Sequence, residues 1–374
     1  ATAIGSSAAG NPAAPHSGFG SAPRRNGRGV TTQTGCAACE SGSLVPVGEV
    51  PGYVEGLDYA IGECDFCGSQ TPLTNHPIPE GLYESIYLNA ARLHGYSRYV
   101  SHAHVVERSR YPLSFLATKE PAYWAVRSIL HERRRAGRGT RVLEVGSGLG
   151  YTTAALRKFG YDATGVDVSS RATSEATRRF GAWYRTGDAR DPETFGEAYD
   201  VVVGLELIEH LESPSEFVTQ LLALLAPDGE LVISTPNRDQ YRSDNVWATD
   251  LPPVHLHWFS EQGMLSLCPT GAQSELFDFT AYNRRFGKRF GLKTRLGPSR
   301  PFLDESLSLT DPIQEATLPT WSERFRHHPA TYLLAVGAHR TKDAARAFRD
   351  FYWPEKRRPD VDQRRTPTIV TRYS

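Results

Sequence analysis

The chain has 374 residues, 39% hydrophobic and 22% charged side chains, and a formal net charge of zero. That composition suits one substantial core with appended segments, and the neutral balance supplies no global field to draw in nucleic acid or an anionic membrane. No apolar run approaches the roughly 18 residues of a spanning helix, and the first residues lack a charged-then-apolar leader, so we expect a cytoplasmic location and no membrane partner.

Residues 1–34 are rich in Ala, Gly, Ser and Pro and poor in large apolar side chains. Such a segment cannot bury enough surface to offset its ordering entropy, and a disordered tail is expected. Over 35–77 two Cys-x-x-Cys pairs follow, CAAC at Cys36 and Cys39 and CDFC at Cys64 and Cys67. Each pair makes a tight knuckle that aims two thiolates at one tetrahedral ion, and the few short strands here would not hold a core without it. The spacing therefore points to a zinc-ribbon-like module with a structural zinc; a disulfide pair is the alternative. Cys268 stands alone and reads as a buried apolar side chain. Residues 78–139 read as helices with aromatic clusters, either packing surface or a lid over a neighbouring pocket.

From 140 to 340 apolar, β-branched strands alternate with amphipathic helices. RVLEV, DATGVDV, WYRTGD, YDVVVGL and GELVISTP are the strands; TTAALRKF, ATSEATRRF and PSEFVTQLLALLA are the helices. This is the α/β pattern of a doubly wound parallel sheet covered on both faces. Two later strands, LFDFTAY at 276–282 and TYLLAVGAHR at 331–340, are expected to complete it around an insertion at 284–328, leaving 341–374 as a tail.

After the first of these strands comes EVGSGLGY, with Glu144, Gly146, Ser147, Gly148 and Gly150 at the turn into a helix. Glycines there let the backbone pass close to a ligand at the mouth of the sheet. The spacing is G-x-G-x-G rather than the dinucleotide G-x-G-x-x-G, and the acid before it suits an amino-bearing ligand better than a diphosphate. Asp167, with Val168 beside it, ends the second strand, where a carboxylate can accept both ribose hydroxyls. Asp188, followed by Ala189, ends the third within reach of an adenine amine, and Glu206 ends the fourth. Together these strand ends describe a nucleoside with an amino-acid tail and no phosphate.

On these residues, 140–260 resembles the seven-stranded, Rossmann-like S-adenosylmethionine-dependent methyltransferases. YDVVVGLELIEHLESPSEFVTQLLALLAPDGELVISTPNR is especially similar to the ubiquinone-biosynthesis O-methyltransferase branch. The resemblance implies that Gly146 to Gly150 cradle the methionine end of S-adenosyl-L-methionine, Asp167 the ribose, and Asp188 with Ala189 the adenine. The cysteine module placed before such a domain also resembles sugar and natural-product methyltransferases with an N-terminal zinc ribbon.

In ELIEH, Glu206, Glu209 and His210 stand at i, i+3 and i+4, so on a helix they would share one face. The later PPVHLHWFS supplies His255 and His257, of which alternation lets one face the pocket; His255, after Pro252 and Pro253, is preferred. Three readings stay open: a catalytic divalent ion, Mg or another, held by Glu206, Glu209, His210 and His255; metal-free base catalysis by His210; or a hydrogen-bonded structural turn. ExxEH with a later histidine also resembles metal-assisted small-RNA 2′-O-methyltransferases, whose fuller histidine cluster is not matched here.

The expected activity is O-methylation of a small metabolite or a sugar-type intermediate, with a small-molecule acceptor as partner and the oligomeric state open. C-methylation of a keto-sugar and RNA 2′-O-methylation are alternatives. From other classes, an NAD-dependent oxidoreductase is disfavoured by the glycine spacing and a non-catalytic zinc-ribbon adaptor by the intact ELIEH. The run NRRFGKRFGLKTRLGPSR carries Arg284, Arg285, Lys288, Arg289, Lys293, Arg295 and Arg300 with Phe286 and Phe290 between them. It reads as a solvated arm, or as a site for an acidic small molecule or nucleic acid.

Overall fold

The computed structural model describes residues 31–93, 95–189, 191, 198–240, 250–286, 300–310 and 364–374. Residues 1–30 of the tail expected over 1–34, the strand expected at 331–340, and the stretches 287–299 and 311–363 lie outside these residues.

The amino-terminal part begins with a two-stranded pair, β1 (Thr31–Thr32) and β5 (Thr74–Asn75). Between them lies an antiparallel three-stranded sheet of β2 (Leu44–Pro51), β3 (Asp58–Cys64) and β4 (Gln70–Pro72). Four helices follow: α1 (Leu82–Asn89), α2 (Ser97–Arg108), α3 (Pro112–Lys119) and α4 (Pro121–Arg135). Proline opens both α3 and α4, where its missing N–H costs no hydrogen bond.

The α/β part runs β6 (Arg141–Val145), α5 (Tyr151–Phe159), β7 (Asp162–Asp167), α6 (Ser170–Phe180), β8 (Tyr184–Thr186) and β9 (Tyr199–Leu205). It continues through α7 (Pro214–Leu222), β10 (Leu225–Pro236), α8 (Glu261–Ser266), β11 (Ser274–Leu276), α9 (Thr280–Phe286) and β12 (Thr368–Tyr373). The seven-stranded sheet has the order β11-β12-β10-β9-β6-β7-β8, giving the Rossmann-like architecture. Pairing is parallel from β8 through β10, and β12 is antiparallel to both its neighbours. Chain order reverses between β6 and β9, so the crevice at the carboxyl ends of these strands is the switch point where such sheets bind ligands.

Alternation explains the apolar YDVVVGL. Val201 and Val203 face a core shared with α2 to α5, while Val202 faces a second core shared with α7, Phe259 and Met264. From Val201 to Gly204 both faces of the strand are buried, so no polar position interrupts that run, and Asp200 before it accepts the Arg141 amide at 2.7 Å. Of the helical segment, α2 to α4 supply much of the first core, including Val106, Leu116 and Val126.

Two sequence expectations change. LFDFTAY is not one strand: β11 stops at Leu276, and Asp278 Oδ1 accepts the amide of Thr280 at 2.7 Å where the chain turns into α9. Tyr282 and Phe286 of α9 then pack on Trp124, so Phe286 is partly buried against the core. The strand that pairs with β10 is β12, inside the segment read as a tail. It is docked by Glu230 of β10, which accepts hydrogen bonds from Arg372 and from Arg133 of α4. Burial pushes the Glu230 carboxyl up, but these two guanidinium partners pull it below the usual range.

Candidate active site

The loop from β6 to α5 carries Gly146, Gly148 and Gly150 at φ of 72, 46 and 74°. Asp167, at the tip of β7, holds this loop: Oδ2 accepts the Gly148 amide at 2.8 Å and Oδ1 accepts the Ser169 amide at 2.9 Å. Burial raises its pKa. Glu144 braces the helix instead of pointing a free carboxylate at the crevice. Its Oε2 accepts the Thr153 amide at 2.8 Å and the Thr153 hydroxyl, and burial pushes it up to about 7.

Above the strand ends opens a cavity of about 840 Å³. Glu144, Gly146, Ser147, Gly148, Asp167, Val168, Asp188, Ala189 and Glu206 all line it. Gly150 does not. A Cβ there would stand 2.6 Å from Ala176 Cβ and 2.8 Å from the Tyr184 ring, so this glycine lets α5 pack on α6 and β8.

The far wall holds ELIEH, in a different arrangement from a shared helix face. β9 ends at Leu205, Glu206 takes a left-handed backbone at φ 51°, and only Ile208–His210 form a 3-10 turn. Glu206 thereby points its Oε1 at the Ser234 hydroxyl, 2.8 Å away, and burial pushes its carboxyl up to about 7. It stands outside the ligand cluster that the other residues form. Glu209, His210 and His255 each bring one ligand atom to within 4.8 Å of the others.

Each member of that cluster has an unused ligand atom. Glu209 is 1% exposed; Oε2 accepts the Thr235 hydroxyl at 3.0 Å and Oε1 has no partner. His210 sits 2.6 Å from the Val254 carbonyl through Nδ1, which must therefore carry the proton and leaves Nε2 with a lone pair. His255 Nδ1 is buried without a partner, and its ring meets that of His210 edge-on at 4.6 Å. Burial pushes both imidazoles down to about 3, helped at His210 by His255 and at His255 by Arg98. Burial and then Glu206 raise Glu209 well above the carboxylate range. Both imidazoles are therefore neutral, which bears on His210 base catalysis, one of the three readings open from the sequence. His257 is turned away, with Nε2 on the Leu211 carbonyl at 3.0 Å.

Sequence reasoning missed part of this wall. Arg98 of α2 lines the cavity, its Nε 3.4 Å from Glu120 Oε1 and its Nη2 donating to Tyr99 at 2.6 Å. Tyr83, Tyr87, Tyr96 and Tyr123 line it too. The aromatic run at 82–99 was the available signal, but periodicity alone does not separate core from cavity lining.

In the amino-terminal module, Cys36, Cys39, Cys64 and Cys67 bring their sulfurs within 4.8 Å of one another. The closest pairs are 3.7 Å (Cys36 with Cys67) and 3.5 Å (Cys39 with Cys64). A tetrahedral zinc–sulfur bond of about 2.3 Å implies sulfurs about 3.8 Å apart, so the donor set fits one such ion. The hydrogen bond from Cys36 pulls Cys67 down to about 5, with Cys36 itself raised. The two knuckles are built alike: the Glu40 amide donates to the Cys36 carbonyl and the Gly68 amide to the Cys64 carbonyl, both at 2.9 Å. Gly68 holds φ 75° freely, whereas Glu40 holds φ 55° at a cost. Glu40→Gly is expected to stabilise the module by about 1 kcal/mol. Thermal melts of the ion-loaded protein check this, and a lower midpoint would count against the equivalence.

A glycine-lined switch-point crevice with carboxylates at successive strand tips defines a Rossmann-like domain with a ligand-sized cavity at its strand ends. The family described as "Methyltransferase domain" matches residues 117–270. Ubiquinone biosynthesis O-methyltransferases are among the curated relatives. That of Azorhizobium caulinodans is 34% identical over 122 residues, covering 30% of this chain and 47% of that protein. That of Cereibacter sphaeroides is 34% identical over 106 residues, covering 27% and 43%. The chain thus spans under half the length of these relatives. Solved structures with similar parts include magnesium protoporphyrin IX methyltransferase of Synechocystis PCC 6803 with bound SAH, at 18% identity, 41% and 78% coverage and TM-score 0.32. The trans-methyltransferase CalH with SAH is similar at 30% identity, 30% and 38% coverage and TM-score 0.26. Residues 117–270 thus match a methyltransferase domain, and part of the chain is similar to ubiquinone biosynthesis O-methyltransferases.

Proposed function

We propose that the protein methylates an oxygen of a small-molecule acceptor, with a divalent ion such as Mg at Glu209, His210 and His255 and a structural zinc at the four cysteines. The observation that carries this reading is the convergence of three ligand groups at the inner wall of the crevice, two of which, Glu209 Oε1 and His255 Nδ1, are buried without a hydrogen-bond partner. Bound S-adenosyl-L-methionine supplies an activated methyl group on its sulfonium. A divalent ion would lower the pKa of an acceptor hydroxyl.

The chain's own residues supply binding and alignment. Gly146, Ser147 and Gly148 face the methionine end, Asp167 the ribose, and Asp188 with Ala189 the adenine. Methyl transfer needs the acceptor oxygen in line with the sulfonium, and its proton must leave. Glu209, His210 and His255 would hold the ion that acidifies the acceptor hydroxyl, and Glu206 orients the turn through Ser234. Tyr83, Tyr87, Tyr96 and Tyr99 give the acceptor ring-sized apolar contact with hydroxyls at its edge.

The pKa directions give a test. Glu209 enters as a neutral acid and the histidines as neutral bases, so loading the ion releases a proton from the carboxyl side. Affinity for Mg or Mn is expected to rise with pH, up to about tenfold per unit below the Glu209 pKa. In the ion-free protein Glu206 is protonated in both states below about 4.5, and the stability it contributes is lost as pH rises through about 7. Calorimetry in buffers of different ionisation enthalpy reads the released proton. Binding that is tight and independent of pH would contradict the assignment. Nuclear magnetic resonance of the methylated product decides oxygen against carbon.

A further inference from the structure

We propose that the cysteine module is a positioning device for the acceptor wall: its loaded knuckle fixes the segment that carries His255, while the cofactor cradle is built without it. The inference rests on the reading of Glu209, His210 and His255 as the acceptor-side ion site.

The segment 254–260 is clamped on two edges. On one edge it takes the ELIEH turn, with the Leu256 and His257 amides donating to the Glu209 carbonyl at 2.8 and 3.2 Å and His210 on the Val254 carbonyl. On the other edge it extends the knuckle sheet. Gln70 of β4 and Trp258 exchange backbone hydrogen bonds, both 2.9 Å, and the Thr71 hydroxyl donates to the Leu256 carbonyl at 2.9 Å. Ser260, the cap of α8, donates its hydroxyl to the Cys67 carbonyl, and its amide donates to Ser69 Oγ at 3.1 Å.

The Val254 and His255 amides turn back on the Leu251 carbonyl and the Phe259 carbonyl accepts the Arg238 amide, so between these ends Leu256 to Trp258 are held by the knuckle sheet and by Glu209. The cradle differs: Gly146 to Gly150, Asp167 and Ser169 are tied to β6, β7 and each other, with no knuckle atom among the hydrogen bonds that hold them. An ordered knuckle sheet therefore sets the distance between His255 and the Glu209–His210 turn, and a loosened one widens it. Thr71 and Ser260 are the positioning residues; neither lines the cavity.

The test uses the full chain with zinc bound or removed, followed by hydrogen exchange. Removing zinc is expected to cut protection of amides 256–260 at least tenfold, with 144–169 unchanged and the SAH dissociation constant within about twofold. Thr71→Val, in the zinc-loaded protein, is expected to weaken Mn binding about 3- to 10-fold, the loss of one hydrogen bond, and Thr71→Ser to restore it. Unchanged protection of 256–260 on zinc removal would overturn the proposal. So would loss of the cradle's protection in parallel, which is general destabilisation, or failure of Thr71→Ser to rescue. If the parent protein binds no Mn, the ion reading falls, and the exchange result alone then decides the coupling.

Discussion

Glu209→Gln is expected to lower methyl transfer by roughly 10²–10⁴-fold with SAH affinity almost unchanged. The amide keeps the volume and an oxygen for the Thr235 hydroxyl, but it removes the anionic charge and can present an N–H₂ donor toward two imidazole lone pairs. His210→Ala is expected to act alike, because it deletes a lone pair that faces the same point and the Val254 contact that orients it. SAH calorimetry and single-turnover kinetics on the same preparations separate the roles. Retained turnover with lost SAH binding would mean that the ELIEH wall serves the cofactor, and the assignment of roles would be wrong.

Asp167→Ala should do the converse. Its two carboxylate oxygens hold the Gly148 and Ser169 amides, so the substitution releases both turns that frame the crevice as well as the proposed ribose acceptor. Charge-assisted hydrogen bonds of this kind are worth about 1.5–3 kcal/mol each, so cofactor affinity is expected to fall about 10- to 100-fold. Turnover at saturating cofactor should stay within several-fold of the parent, since the hydrogen bonds of the Asp167 carboxylate go to Gly148 and Ser169 and not to Glu209 or His255. Equal affinity for SAH in the variant and the parent would place the adenosyl group elsewhere.

The strands and helices of the α/β part were legible because each carries a periodic signature: VVV with both faces buried, ATSEATRRF with one apolar stripe, glycines where the chain turns at a strand end. The four cysteines were legible for a similar reason, since a Cys-x-x-Cys knuckle is local. The edge of the sheet was not. β12 is selected by Arg372 meeting Glu230, which also meets Arg133, and nothing in a window around residue 370 encodes a partner on β10.

ELIEH marks the boundary between the two kinds of information. The residue types, and that they cluster after a strand, follow from the sequence itself, as do the G-x-G-x-G turn and the acids at the strand tips. Which side chains converge was a tertiary outcome. Glu206 leaves the group because its left-handed backbone turns it to Ser234, and His255 joins because a distant segment is wedged between the 3-10 turn and the knuckle sheet. Burial then sets the chemistry, taking two histidines down to about 3 and one glutamate up. Local pattern specifies what each element is; desolvation and long-range packing, which no local pattern contains, specify what its side chains can do.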